Sequence, residues 1–445
     1  MTSQSTSDSL IAALCGLLTL NIYSLLPLFI SIPPSLDLRV STLYVLALQG
    51  LISLAVIRLF YIATRRPFRL RCRKTLILML LYAAFPVPRV AIWVLDTVVP
   101  ARNMKRLSID PGQNIPPIRD SPATSLPASL PEAKHIKTNP ARAGEENASV
   151  YFVGNATTIF EWEGMRLMTD PNFLHAGDHV HLGPGVTSTR LRNPAVDLHE
   201  LPRIDLVLLS HYHGDHFDEK VEASLRRDLP IITTSHAKSI LTSKGADSFQ
   251  QVFDLEPFEQ MMVNIKGDSS RTKQPHIRVT GMPGKHIATN KVVEKLNEFV
   301  AAIPPTNGWM VELGYGSTQT MQTDFEVGYR IYISGDTLMV DELKEIPRRF
   351  EGQKIDLMLI HLGGTTVPHP KMWPLTMMVT MDAQQGVELV RLIKPDLTIP
   401  IHFDDYDVFA SSLEDFKIEM QKAGLAGQVV YLDRKEAYRF QVRAT

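Results

Sequence analysis

The chain has 445 residues, a formal net charge of −1 and 21% charged residues. That length exceeds one ordinary domain, and the near-neutral balance gives no basic field for gripping nucleic acid. Its two cysteines, Cys15 and Cys72, both lie near the N-terminus, so no disulfide framework can form in the rest of the chain.

Leu10–Ile32 carries no charged side chain over 23 residues, enough to cross a hydrocarbon layer of about 30 Å. The preceding MTSQSTSDS lacks Lys and Arg, which favours a retained helix over a cleaved signal peptide. Val40–Thr64 is a second span, interrupted only by Arg58 near one end, where its head can reach the interface. Thr75–Val99 is a weaker third. It holds Pro86, Pro88, Arg89 and Asp96, so an interfacial or re-entrant segment is the alternative. RRPFRLRCRK, between the second and third candidates, has six basic residues in ten and is expected on the cytoplasmic side. Three spans would carry the following domain across the membrane. Two would leave it in the cytosol, and Arg102, Lys105 and Arg106 pull toward two. The expectation is a multi-pass membrane region over 1–100, with helices at about 10–32, 40–64 and 75–99 and the lipid bilayer as its partner.

Residues 101–148 contain seven prolines and few aromatics and read as a flexible linker. Asn147-Ala-Ser149 is an acceptor sequon whose glycosylation would report a lumenal or extracellular position. Asn155-Ala-Thr157 is formally another, but its hairpin context reads as a structural turn.

From 149 to 445 short β-like runs alternate with helical patterns. Leu206–Leu209, Ile231–Thr234, Trp309–Leu313, Arg330–Ile333, Leu357–Ile360, Thr398–Ile401 and Val429–Leu432 read as strands. Asp382–Ile393 places Val387, Leu389, Val390 and Ile393 on one helical stripe. Interleaved strands and helices predict layered α/β packing.

The densest chemistry is SHYHGDHFD, residues 210–218. His211 and His213 are two apart at a strand end and can point to one side. Asp215 and His216 follow in a turn opened by Gly214. Imidazole and carboxylate suit zinc, and other divalent transition metals are open. Four donors within six residues exceed what one tetrahedral ion usually draws from so short a loop, so two adjacent ions are expected. His286 after VTGMPGK, Asp336 in IYISGDT and His402 after LTIPI each close an apolar run, as further members of a shared site would.

HxHxDH with these distal His, Asp and His residues resembles the metallo-β-lactamase superfamily. TDPNF, LPRIDLVLLSHYHGDHFD and ISGDT are similar to its branch holding N-acyl-phosphatidylethanolamine phospholipase D and the ascorbate-phosphate lactonases. The resemblance covers about residues 148–442. It implies an α/β fold, an αββα sandwich, with a dinuclear metal site at one edge, for which the ligand types favour two Zn2+ ions. It also implies one ion on His211, His213 and His286, a second on Asp215, His216 and His402, and Asp336 bridging both. One departure stands out: similar chains have Gly-His-Ala-Thr in the first hairpin, whereas this one has Gly154-Asn-Ala-Thr157.

The expected activity is hydrolysis of a phosphodiester, ester or lactone, in a small molecule or a lipid, by a metal-bridging hydroxide. Asp215 and Asp336 are the catalytic candidates, orienting water or passing a proton. No Gly-x-Ser-x-Gly elbow suggests a covalent nucleophile. Phe173–Arg192 is read as a lid carrying His175, His179 and His181, with Arg190 and Arg192 as candidates for a substrate phosphate or carboxylate. His361 is read as facing the site or a ligand's partner, His369 as loop surface, and Asp404, Asp405 and Asp407 as supporting groups. The alternatives are other chemistry on the same fold, di-iron or nucleic-acid processing, and a non-catalytic membrane scaffold or sensor.

Overall fold

Strand β13 (Asn307–Gly316) explains the architecture, because every one of its residues is buried. Trp309, Val311 and Leu313 point to one apolar layer and Met310 to another. Successive side chains of a strand face opposite ways, so this strand is covered on both faces. The computed structural model describes residues 104–119, 126–139, 144–183, 186–267, 271–286, 303–317, 324–367 and 377–444. The expected membrane helices at 10–32, 40–64 and 75–99 lie outside the described residues. Among the described residues no helix is long and apolar enough to cross a membrane.

The strands before β13 are β1 (Lys105–Ile109), β2 (Ile136–Thr138), β3 (Ala148–Gly154), β4 (Thr157–Trp162), β5 (Met165–Thr169), β6 (His179–Gly183), β7 (Val186–Thr189), β8 (Leu206–Leu208), β9 (Ile231–Thr233), β10 (Val252–Asp254), β11 (Gln260–Ile265) and β12 (Gln274–Pro283). Those after it are β14 (Glu326–Ile333), β15 (Leu357–His361), β16 (Thr366–Val367), β17 (Met377–Met378), β18 (Leu397–Ile401) and β19 (Ala437–Phe440). Among the described residues the α-helices are α1 (Glu219–Ser224), α2 (Ser235–Leu241), α3 (Glu345–Arg349), α4 (Ala383–Ile393) and α5 (Leu413–Lys422).

Of the two large sheets, one runs β1-β11-β12-β13-β14-β15-β18 and the other β10-β9-β8-β5-β4-β3-β19-β2, while β6-β7 and β16-β17 form two-stranded ribbons. Between them lies the main core, in which Phe152, Leu167 and Leu206 meet Val263, Ile331 and Leu359. The outer face of the eight-stranded sheet packs on α1 and α2 through Ile159, Val207, Val221 and Leu241. The outer face of the seven-stranded sheet packs on α4 and α5 through Tyr332, Met358, Val390 and Phe416. The order is helix, sheet, sheet, helix, a mixed α/β sandwich. Helix α4 occupies almost the expected stripe, and its start is fixed by Asp382, whose side chain accepts from Gln385 N.

The stretch 101–148 departs from the flexible linker expected of it. Strand β1 pairs in parallel with β11 and buries Leu107 and Ile109 in the core. Residues 117–119 run beside α1, with Arg119 N donating to Ser224 O and Arg226 N to Pro117 O. Strand β2 then pairs with β19 at the far edge of the other sheet. The sandwich therefore begins at Lys105 rather than at 149. The prolines mask a short alternation, KRLSI, in which only the inward residues need be apolar. The run Val429–Leu432, expected as a strand, makes a single bridge from Val429 to Thr398.

Candidate metal centre

Parallel strands gather polar residues at their carboxyl ends. Here β5 is followed by Asp170, β8 by Ser210–His216, β14 by Asp336, and β18 by His402, while β15 ends in His361. His286 follows β12. Apolar strands fix the backbone, and the first residues beyond them carry the chemistry. Gly335 takes φ +61°, and a Cβ there would fall 2.3 Å from Asn307 O, so only glycine delivers Asp336 at this turn. Asp170 and His402 hold φ +35° and +61° without being glycines, a conformation that collects at functional sites.

The structure brings the seven sequence-predicted residues into two adjoining groups. His211, His213 and His286 form one, and Asp215, His216, Asp336 and His402 the other, with donor atoms within 4.8 Å of one another in each. His216 Nε2 lies 3.3 Å from Asp336 Oδ2 and 3.7 Å from Asp215 Oδ2. His402 Nε2 lies 3.5 Å from Asp215 Oδ2 and 3.6 Å from Asp336 Oδ2. His211 Nε2 faces His213 Nδ1 at 3.1 Å.

The far ring nitrogens are held from behind. His286 Nδ1 is 3.0 Å from Val379 O and His402 Nδ1 3.0 Å from Leu362 O. A carbonyl only accepts, so each Nδ1 carries a proton and each Nε2 is left as the ring atom available to the group. Ser210 Oγ is 2.9 Å from His211 Nδ1, and Asp170 Oδ2 is 3.5 Å from His216 Nδ1. Thr380 Oγ1 donates to Asp336 Oδ2 at 3.0 Å. His286 Nε2, His402 Nε2, His216 Nε2, Asp215 Oδ1 and Asp336 Oδ1 are buried without a hydrogen-bond partner. Buried polar atoms left unpaired are costly, and a cation resolves this cost where several aim at one point. The donor set therefore fits divalent metal.

Electrostatics separate the two groups. Burial, with the neighbouring imidazoles, holds His211 well below the usual histidine value, and burial brings His213 down to about 4 and lowers His286. Burial also works against charge on His216 and His402, but facing carboxylates, Asp336 foremost, outweigh it and raise both. Burial pushes Asp215 up, yet His216 and its neighbours bring it down to about 2, and Asp336 is likewise held well below the carboxylate range. The first group is thus three neutral imidazoles, and the second sets two ionised carboxylates against two imidazoles whose protonated form they favour.

Other sequence candidates sit elsewhere. Arg190 is fully buried and paired with Asp405 at 2.8 Å, so it does not face a substrate. Arg192 is exposed and pairs with Asp404 at 3.1 Å. His175 pairs with Asp197, while His179 and His181 lie beside Thr189 and Thr187 across the β6–β7 hairpin. The inner face of that hairpin, Val180 and Leu182, packs on Tyr406 and Val408. A Cβ at Gly214 would be 3.4 Å from Val180, so the hairpin does cover the histidine loop. Asp407 accepts from Ser188 and Thr189 and holds the hairpin down. His361 is buried, 3.6 Å from Asp170 Oδ2. His369 lies outside the described residues. Sequence reasoning passed over Asp170 and Thr380. TDP carries resemblance but no chemistry of its own in sequence, and a lone threonine gives no signal.

A sequence profile of the beta-lactamase superfamily domain matches residues 166–403, more than half of the chain and inclusive of all seven grouped residues. The chain belongs to the metallo-β-lactamase superfamily. It is a metal-dependent hydrolase of that superfamily, and its relatives support the branch that the sequence resembles. It is 26% identical over 291 residues to a UPF0173 metal-dependent hydrolase of Archaeoglobus fulgidus, a match covering 65% of this chain and 98% of the other. It is 30% identical over 158 residues to the mitochondrial N-acyl-phosphatidylethanolamine-hydrolyzing phospholipase D of Saccharomyces cerevisiae, covering 34% of this hydrolase and 32% of that protein. Among solved structures, the isothiocyanate hydrolase from Delia radicum gut bacteria is 16% identical with a TM-score of 0.49, covering 66% of this chain and 99% of that one.

Proposed function

We propose that this hydrolase is a membrane-tethered dinuclear zinc enzyme that cleaves a phosphodiester, ester or lactone in an amphiphilic substrate. The observation that carries this reading is the adjacency of two donor groups in which several buried nitrogens and oxygens have no hydrogen-bond partner. Seven donors exceed the four of one tetrahedral ion, and imidazole with carboxylate suits zinc. His211, His213 and His286 would hold one ion, Asp215, His216 and His402 the other, and Asp336 both. When bound, such ions supply Lewis acidity and a water acidified to about neutral pH.

The chain's own residues supply the remainder. Asp215 and Asp336, held ionised by the histidines around them, can accept hydrogen bonds from a water in the site and orient it. Val379 O and Leu362 O keep His286 and His402 in one tautomer. The β6–β7 hairpin shields the histidine loop from water on one side. The uncharged run at 10–32 and the apolar run at 40–64, broken only by Arg58, with 75–99 as a third candidate, support the tether and with it a lipid-like substrate.

The test uses the purified full-length chain. Its metal content is measured, and turnover of N-acyl-phosphatidylethanolamine is compared with turnover of a lactone panel. Zinc near two per chain and turnover of either class support the reading. No turnover of either by zinc-loaded protein would sink it. Membrane association is read separately, by resistance of the chain to carbonate extraction.

A further inference from the structure

We propose that Asn155, at the turn between β3 and β4, is a positioning residue that locks Asp215 and His402 against each other across the two sheets. This rests on the reading of Asp215, His216, Asp336 and His402 as an ion-holding group. Asn155 is fully buried. Its side-chain amide donates to Asp215 O at 2.7 Å, and its carbonyl accepts from His402 N at 3.0 Å. Its own N–H donates to Asp405 Oδ2 at 2.7 Å, and Asp405 is anchored in turn by Arg190 and Arg434.

Asp215 belongs to the loop after β8 in the eight-stranded sheet, and His402 follows β18 in the seven-stranded one. One residue thus ties the two sides of the second group. His402 needs such a tie because its backbone is left-handed, at φ +61°. With its N–H on Asn155 and its Nδ1 on Leu362 O, both ends of the residue are fixed. None of the hydrogen bonds described for Asn155 reaches His211, His213 or His286, so its influence falls on one group alone.

The competing explanation is a turn residue and nothing more. Asn155 has φ +51°, which asparagine tolerates and glycine takes freely. Asn155→Gly keeps that conformation and the backbone bonds but deletes the amide that reaches Asp215. Asn155→Asp keeps the shape and sets an acceptor against the Asp215 carbonyl.

The full-length protein is stripped with a chelator and titrated with Co2+, followed by its visible spectrum, and with Zn2+ by calorimetry. Wild type, both variants and His213→Ala are compared. The expected result is one binding event weakened about 10- to 100-fold in both Asn155 variants, the range of lost supporting contacts behind a ligand. Its Co2+ band shifts, and the other event stays unchanged. His213→Ala weakens the opposite event. The thermal midpoint of the metal-free Asn155→Gly protein stays within about 4 °C of wild type, the scale of about 1 kcal/mol in a domain of this size. Wild-type isotherms in Asn155→Gly would show a turn residue only and overturn the proposal, as would equal weakening of both events. If Asn155→Gly does not fold, Asn155→Asp carries the same comparison, and a wild-type isotherm there overturns it. If wild type itself takes up no metal, the ion-holding reading fails first and takes the proposal with it.

Discussion

Asp405→Asn is the most exposing single change outside the metal groups. The Asp405 carboxylate is wholly buried, with Arg190 at 2.8 Å on one oxygen and Arg434 at 2.5 Å on the other. The second oxygen also accepts from Asn155 N. An asparagine keeps the shape and removes the charge, leaving Arg190 with no other ion-pair partner among the described residues. Breaking one side of a buried pair costs about 3–5 kcal/mol, because the remaining charge is left unpaired in a dry site. The pH dependence has a definite sign. Burial pushes the Asp405 carboxyl up, and the charges of Arg190 and Arg434 outweigh it, so its folded pKa lies below the ordinary value. Its stabilisation is therefore complete above the unfolded pKa of about 3.9 and is lost as pH falls through the lower, folded value. Equilibrium unfolding of chelator-treated wild type and variant, followed by tryptophan fluorescence, should show the full gap at pH 7 and at pH 5. The gap should narrow only below about pH 4. A difference under about 1 kcal/mol at pH 7, or one that persists undiminished at pH 3, would refute the assignment of Asp405 as the ion pair's charged centre.

Three further changes probe other layers. His213→Ala should lower kcat/KM at least about 100-fold, equivalent to about 2.7 kcal/mol of transition-state stabilisation, with a matching loss of bound metal by elemental analysis. Near-normal turnover would remove His213 from the site. A chain starting at residue 145 lacks β1 and the burial of Leu107, Ile109 and Leu130, worth about 2 kcal/mol each, and it bares the β11 edge. It should aggregate on size-exclusion chromatography where a chain starting at 104 elutes as a folded species, and equal behaviour of the two would make β1 dispensable. Glu312→Ala should cost about 3–5 kcal/mol in thermal or urea unfolding, because buried Glu312 lies between Arg278 at 2.5 Å and Arg330 at 2.8 Å. Its kcat at low temperature should stay within about twofold, since the three residues stand in register across β12, β13 and β14, on none of the strand ends that carry the site.

How much was legible depended on how locally each feature is encoded. His211, His213, Asp215 and His216 could be read directly because one strand, β8, delivers them in a single loop. His286, Asp336 and His402 could be read only as donors closing apolar runs, and it took the resemblance to join them. Arg190 could be offered only as a candidate because a guanidinium that meets a substrate and one that meets Asp405 look alike in sequence. Burial decides between them, and burial is set by a partner far along the chain. Strand β1 was hidden for another reason. At a sheet edge only the inward side chains must be apolar, so Leu107 and Ile109 were the whole signal, and the prolines that follow outweighed it. Asn155 registered as a departure from a motif but carried no role, because its role is a set of main-chain contacts to residues that sequence does not place beside it.

Each donor group draws on both sheets. His211 and His213 come from the loop after β8 in the eight-stranded sheet, and His286 follows β12 in the seven-stranded sheet. Asp215 and His216 come from the same loop after β8, while Asp336 and His402 follow β14 and β18. Neither group exists within one sheet, so the core between the sheets does more than hold the fold: it sets the distance across which the donors converge. A strand end can be placed to within a hydrogen bond only if the sheets cannot slide, and apolar packing alone resists sliding weakly because it has no direction. The polar ties across the gap provide that direction. Asn307 N donates to Ser210 O, His402 N to Asn155 O, and His361 stands against Asp170. These contacts lie at the same edge as the donors. Precision is thus built where the chemistry needs it, and the apolar interior behind it supplies the stability.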